Sequence, residues 1–207
     1  MAFDYDNYMP PEIKNDSFYS ILIDIARRFP LRTILEIGAS SGEGSTEALV
    51  HGLAENPGKP TLFCIEVSRA RYERLAQRYA GNPQVKPYNA SSVNLKDFPS
   101  EAQVIEFYQM QPYNLNMGET NIGNWPLELV LTWLRNDIKY LTEHNIQQDG
   151  ISLIKRKHSI SQFDMVLIDG SEFTGSAELL QVYGAPIIAM DDINTCKNGQ
   201  TPSGLLR

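Results

Sequence analysis

This chain of 207 residues is poor in the features that mark export, disulfide stapling or membranes. It has only two cysteines, Cys64 and Cys196, in neither a metal-binding nor a disulfide-framework spacing. No apolar run approaches the roughly 20 residues that cross a bilayer, so no membrane partner is expected. The opening Met1-Ala2-Phe3-Asp4-Tyr5-Asp6-Asn7-Tyr8 lacks the basic and apolar regions of a signal peptide. A reducing, cytoplasmic setting is expected from these absences. Basic residues are the minority, 18 Lys and Arg against 25 Asp and Glu, a net charge of -7 at pH 7. That balance excludes the broad basic footprint of a nucleic-acid-binding protein, though not a small anion held by one or two arginines. There is no internal repeat and no low-complexity tract. The sequence leaves the oligomeric state open, a homo-oligomer included.

What is present is ordinary globular material, 42% hydrophobic and 21% charged, enough for one well-cored domain over residues 1–207. Residues 1–14 read as a loose arm stiffened by Pro10-Pro11. Asp16 or Ser17 caps a helix with Phe18, Ile21, Leu22, Ile25 and Phe29 at helical spacing, stopped by Pro30. Short apolar strands then alternate with single helices. Strands are predicted at 33–37, 61–65, 85–88, 162–168 and 185–190, and helices at 45–54, from Ser68, and at 174–182. This alternation predicts an α/β fold, a doubly wound, Rossmann-like, mainly parallel sheet of about five strands. Residues 93–160 interrupt it as a helical insertion. Pro99–Asn124, rich in Gln, Asn, Tyr and Pro, is assigned no element, and a helix is predicted from Pro126 to about Glu143. The insertion either covers a substrate site or packs the sheet flank. Its aromatics Tyr108, Tyr113, Trp125 and Trp133 suit a pocket or a core equally.

Chemistry gathers at the predicted strand ends. Four of them finish in acid, namely Glu36, Glu66, Asp169 and Asp191, and a parallel sheet brings these to its ligand-binding edge. After Glu36 comes the turn Gly38-Ala39-Ser40-Ser41-Gly42-Glu43-Gly44, whose glycines let backbone approach a ligand. The acid suits hydroxyls or an amine better than a pyrophosphate, so a nucleoside ligand is expected. Glu66 follows at the ~20-residue interval of ribose-binding acids in dinucleotide folds, although it also suits the cap of the next helix. Asn89-Ala90 after the third strand suits an adenine edge or an ordinary turn. Asp169 and Asp191-Asp192 lie on strands expected to be neighbours, where converging carboxylates suit a magnesium or calcium ion.

The ordered set Glu36-x-Gly38-x-x-x-Gly42-x-Gly44, Glu66, Asn89-Ala90 and Asp169-Gly170 resembles the motif series of class I S-adenosylmethionine-dependent methyltransferases. The stretch Leu167–Glu172 with Met190–Asn194 is similar to the metal-dependent small-molecule O-methyltransferases of the catechol and macrocin types. The resemblance covers about residues 16–92 and 162–194. It implies S-adenosylmethionine held by Glu36, Gly38, Ser40, Gly42, Glu66, Asn89, Ala90 and Asp169, and magnesium held by Asp169, Asp191 and Asp192. It implies methyl transfer to a hydroxyl of a small-molecule acceptor. The chain departs from the pattern at the base, with Glu172 where the catechol group has lysine; Glu172 or His158 is the candidate proton acceptor. Too few residues follow Asp192 for the two strands that usually complete this sheet, so a fragment or a sheet trimmed to five strands is expected. Two rival readings are a nicotinamide-dependent oxidoreductase, which normally carries G-x-G-x-x-G, and a non-catalytic binding domain on the same fold.

Overall fold

A computed structural model describes residue 7, residues 9–114 and residues 126–191, with residues 110–114 by backbone alone. Its centre is one sheet of five parallel strands, β1 (Thr33–Ile37), β2 (Thr61–Glu66), β3 (Val85–Asn89), β4 (Met165–Ile168) and β5 (Ile187–Met190). They lie in the order β3-β2-β1-β4-β5. Around it run seven described helices: α1 (Ser17–Arg28), α2 (Ser45–Glu55), α3 (Arg69–Arg78), α4 (Glu101–Asn114), α5 (Leu127–Glu143), α6 (Gly150–His158) and α7 (Gly175–Val182). The Rossmann-like α/β architecture is the one expected.

Side chains alternate along a strand, so each strand feeds two layers. Ile34, Leu62, Cys64, Met165 and Leu167 face one side, where Leu22 and Ala26 of α1, Leu49 and Leu53 of α2 and Leu75 of α3 cover them. Leu35, Phe63, Ile65, Val166 and Ile168 face the other, under Ile151 and Ile154 of α6 and Leu179 and Val182 of α7. The sheet is thus doubly wound, and each buried aliphatic chain contributes about 1.5–3 kcal/mol. Asp164 fixes the start of β1 against β4. One carboxylate oxygen accepts the N–H groups of Arg32 and Thr33, both at 2.8 Å. Burial raises the pKa of Asp164, but these amide bonds outweigh it and hold the carboxyl below its usual range.

Two helices appear where no element was assigned. α4 starts from Ser100, whose N–H donates to Gln103 Oε1 at 2.8 Å while the Gln103 N–H donates back to Ser100 Oγ at 3.3 Å. α6 is the crossover helix that returns the chain to β4. Its last turn holds Lys155, Arg156, Lys157 and His158, where cations oppose the helix dipole. The predicted strand over 162–168 begins only at Met165, because Asp164 is spent on the clamp. No described helix is long and apolar enough to cross a membrane.

Candidate functional site

Strand order reverses between β1 and β4, and their carboxyl ends diverge into a crevice of the kind that holds ligands in open α/β sheets. Gly38 makes the close approach there. Its φ is +90°, and a Cβ in its place would lie 1.9 Å from the Asp169 carbonyl oxygen. Gly38 and Ala39 donate their N–H groups to the Ile65 carbonyl at 3.0 and 3.1 Å, folding the turn onto β2. Ser40 adopts a left-handed φ of +49°. Its N–H thereby reaches Glu66 Oε2 at 2.8 Å, and the Ser68 N–H takes Oε1 at 2.7 Å. Burial raises the Glu66 pKa, against the opposing pull of the Ser68 amide, the Arg71 charge and the Ser40 amide.

Above this edge is a cavity of about 660 Å³. The glycine turn (Gly38–Ser41), the end of β2 (Ile65–Val67), Ser91-Ser92 and the loop Asp169–Thr174 form its sheet side. The arm Met9–Ile13 forms one wall. That arm is anchored by Lys14, whose Nζ donates to the Glu43 carbonyl at 2.9 Å and pairs with Glu47 at 3.0 Å. Tyr108 of α4 and Val130, Trp133, Asn136 and Asp137 of α5 form the opposite wall, with Phe98. Behind them Val104, Phe107, Leu131 and Leu134 pack with Phe173 into a small core of their own. Trp125 lies outside the described residues, as does the side chain of Tyr113.

Of the residues expected to bind a cofactor, Gly38, Ser40, Glu66 and Asp169 line this cavity, and so does Glu172. Glu36, Gly42, Asn89 and Ala90 stand behind it. Glu36 is fully buried and accepts hydroxyl hydrogens from Ser45 at 2.7 Å and Thr46 at 2.8 Å, stapling α2 to β1. Loss of water raises its pKa, with the two hydroxyls pulling the other way. Gly42, at φ +79°, leaves room for Leu75 of α3 and for Tyr79 just past the end of that helix, and Tyr79 donates to its carbonyl at 2.7 Å. Asn89 Nδ2 donates to the carbonyls of Glu66 (3.0 Å) and Val67 (2.8 Å), and the Ala90 N–H to that of Glu66, so both shape the end of β2. The next two residues, Ser91 and Ser92, reach the cavity instead.

Asp169 and Asp191 end neighbouring strands, and the Asp191 N–H donates to the Ile168 carbonyl at 3.1 Å. Asp169 lines the cavity, Asp191 is not among its lining residues, and Asp192 lies outside the described residues. Among the described residues no three His, Cys, Asp or Glu side chains group closely enough to hold a metal ion. His158 is remote from the cavity. It packs on Phe63, with ring centroids 4.7 Å apart, and meets the Tyr88 hydroxyl at 2.7 Å. Burial, then the charges of Lys157 and Lys86, lower its pKa.

Sequence reasoning missed Asp137. This half-buried acid interrupts the apolar stripe of α5, three residues after Leu134 and four before Leu141, and that interruption was its readable signal. Ser171 donates to Asp137 Oδ2 at 2.6 Å. Burial pushes the Asp137 pKa up to about 7; the Ser171 bond opposes this and the nearby charge of Glu172 adds to it. The cavity thus joins a polar, glycine-walled half to a half of aromatics and acids. Compared with known proteins, the chain matches no family model, and no curated protein matches its sequence.

Proposed function

We propose that this protein transfers a methyl group from S-adenosylmethionine to a hydroxylated small molecule. The observation that carries the reading is Glu66, a carboxylate on the wall of the cavity, beside a glycine turn at the point where strand order reverses. Its oxygens accept the Ser40 and Ser68 N–H groups, with the Val67 amide also acting on the carboxylate, and the remaining lone-pair capacity suits a ribose hydroxyl. The cavity's size falls within the roughly 300–1,000 Å³ of small-molecule sites. Residues that would hold the cofactor are Gly38, Ser40 and Glu66, with Asp169, Ser91 and Ser92 around them. The cofactor supplies an electrophilic methyl on a sulfonium. The protein's part is to align an acceptor oxygen with that methyl, worth several kcal/mol when two reactants are fixed, and to take the proton at Glu172 or Asp137. Magnesium at Asp169, Asp191 and Asp192 belongs to the same proposal.

Calorimetry on the full chain tests it. S-adenosylmethionine and its demethylated product are expected to bind and NAD is not, and Glu66→Gln is expected to weaken cofactor binding roughly tenfold. No binding of either cofactor form overturns the reading. For the metal, Asp191→Asn with Asp192→Asn is expected to abolish magnesium enhancement of cofactor or acceptor binding.

A further inference from the structure

We infer that Arg71 and Glu66 together read an intact ribose, so that the cofactor half of the cavity takes a ribonucleoside and rejects its deoxy forms. The inference deepens the methyl-transfer reading, on which it rests only for the identity of the nucleoside. Arg71 lines the cavity from the first turn of α3, just beyond the end of β2 that carries Glu66. Its Nη2 is buried and finds no hydrogen-bond partner among the described residues. Its Nε donates to the Asn7 carbonyl at 3.4 Å. Its charge acts on Glu66 and pulls against the burial of that carboxylate. A buried donor and a buried acceptor thus share one end of the cavity, each bonded to other groups or to none and neither to the other.

The helix itself does not call for an arginine there. Ser68 caps α3 and accepts the Arg71 N–H at 3.2 Å. The third residue after such a cap is where a Glu or Gln returns the bond to the capping residue. The positive end of the helix dipole also favours anions in that turn. Arg71 goes against both preferences, and the first turn of α3 carries no acid. A residue that breaks a local rule points to a demand from elsewhere in the fold. A buried guanidinium with an unmade bond is costly, and a ligand oxygen between it and Glu66 removes that cost. A hydroxyl fits, because one oxygen both donates a hydrogen bond and accepts another. It donates to the Glu66 carboxylate and accepts from Arg71 Nη2. A phosphate in its place accepts from Arg71 but meets repulsion from Glu66, and a deoxy carbon satisfies neither group.

Adenosine, 2′-deoxyadenosine and 3′-deoxyadenosine, titrated into the full chain by calorimetry, test this beside S-adenosylhomocysteine, the demethylated cofactor. Adenosine is expected to bind at least roughly tenfold tighter than one or both deoxy forms, since the missing hydroxyl leaves buried polar groups unpaired. Arg71→Gln is expected to weaken adenosine roughly tenfold and to shrink its preference over the deoxy form at least about threefold. General damage to the fold weakens the three nucleosides alike, so their ratio separates recognition from a structural role. Arg71→Lys, which keeps the charge without the planar fork, is expected to retain part of both and gives the comparison where Arg71→Gln fails to fold. The inference is overturned if adenosine does not bind, if both deoxy forms bind as tightly as adenosine, or if the Arg71 variants keep the full preference. A ribose preference that depends on Arg71, without S-adenosylhomocysteine binding, would remove the methyl-transfer reading and leave this one. S-adenosylhomocysteine binding with no preference among the three nucleosides would do the reverse.

Discussion

Glu36 and Glu66 stand near the ends of adjacent strands, and the fold puts the two carboxylates to opposite uses. Glu36 pairs with Cys64, still inside the ladder, so its side chain joins the layer under α2. Burial and the charge of Glu36 together push the Cys64 thiol well above its usual range. Glu66 comes one pair later than the last β1 partner, Ile37↔Ile65, and so emerges at the open edge. An apolar run followed by an acid does not reveal that difference of about 3.3 Å per residue along the strand. Glu36→Ala is expected to cost about 2–3 kcal/mol in urea unfolding, because it strands the buried Ser45 hydroxyl and leaves Thr46 only its longer bond, 3.3 Å to the Ala39 carbonyl. Glu36→Gln is expected to leave cofactor affinity within about threefold, which calorimetry checks against Glu66→Gln. For Asp137 the folded pKa lies above the unfolded one, so its contribution favours folding at low pH and is lost as pH rises through about 7. Asp137→Asn is therefore expected to raise Tm at pH 8. Discounted for partial exposure the gain is about 1 kcal/mol, or roughly 2–4 °C, and it shrinks toward pH 5, as scanning calorimetry at the two pH values would report.

At the scale of elements, the sheet was readable from the sequence because buried parallel strands and their crossover helices leave strong periodic patterns. The walls of the site were less so. α5 showed itself by its apolar stripe, but α4 begins in a Gln-rich stretch and buries only a short pair, Val104 and Phe107. Its start was nevertheless written in Ser100-Glu101-Ala102-Gln103, a capping box, which periodicity does not register. α6 is short, and its basic last turn resembled a solvated run. α4 and α5 share a core with Phe173 rather than with the sheet layers, so their stability is separable in part. Leu134→Ala, at a site 1% exposed, is expected to remove about 2–5 kcal/mol locally. Hydrogen exchange is expected to quicken in α4 and α5 while β1, β2 and β4 keep their protection. Equal loss in both regions would show one cooperative unit.

For the whole molecule, the acidic balance and the two cysteines set expectations about partners and compartment, while the strand alternation gave the order in which the sheet is built. How the chain closes over that sheet was not readable, since it depends on contacts between segments far apart. The cavity draws on the arm at Met9–Ile13, the glycine turn, the ends of β2 and β3, both insertion helices and the loop after β4. No one of these segments forms the site alone. Any ligand that spans it binds the folded chain and not the unfolded one, so its binding free energy adds directly to the stability of the fold. At about a hundred times its Kd such a ligand contributes about 2.7 kcal/mol, which for a chain of this size is roughly 5–10 °C in Tm. A site assembled from so many distant pieces makes the melting temperature a reporter of occupancy. Heating the protein with one small molecule after another would then rank candidate ligands by affinity alone.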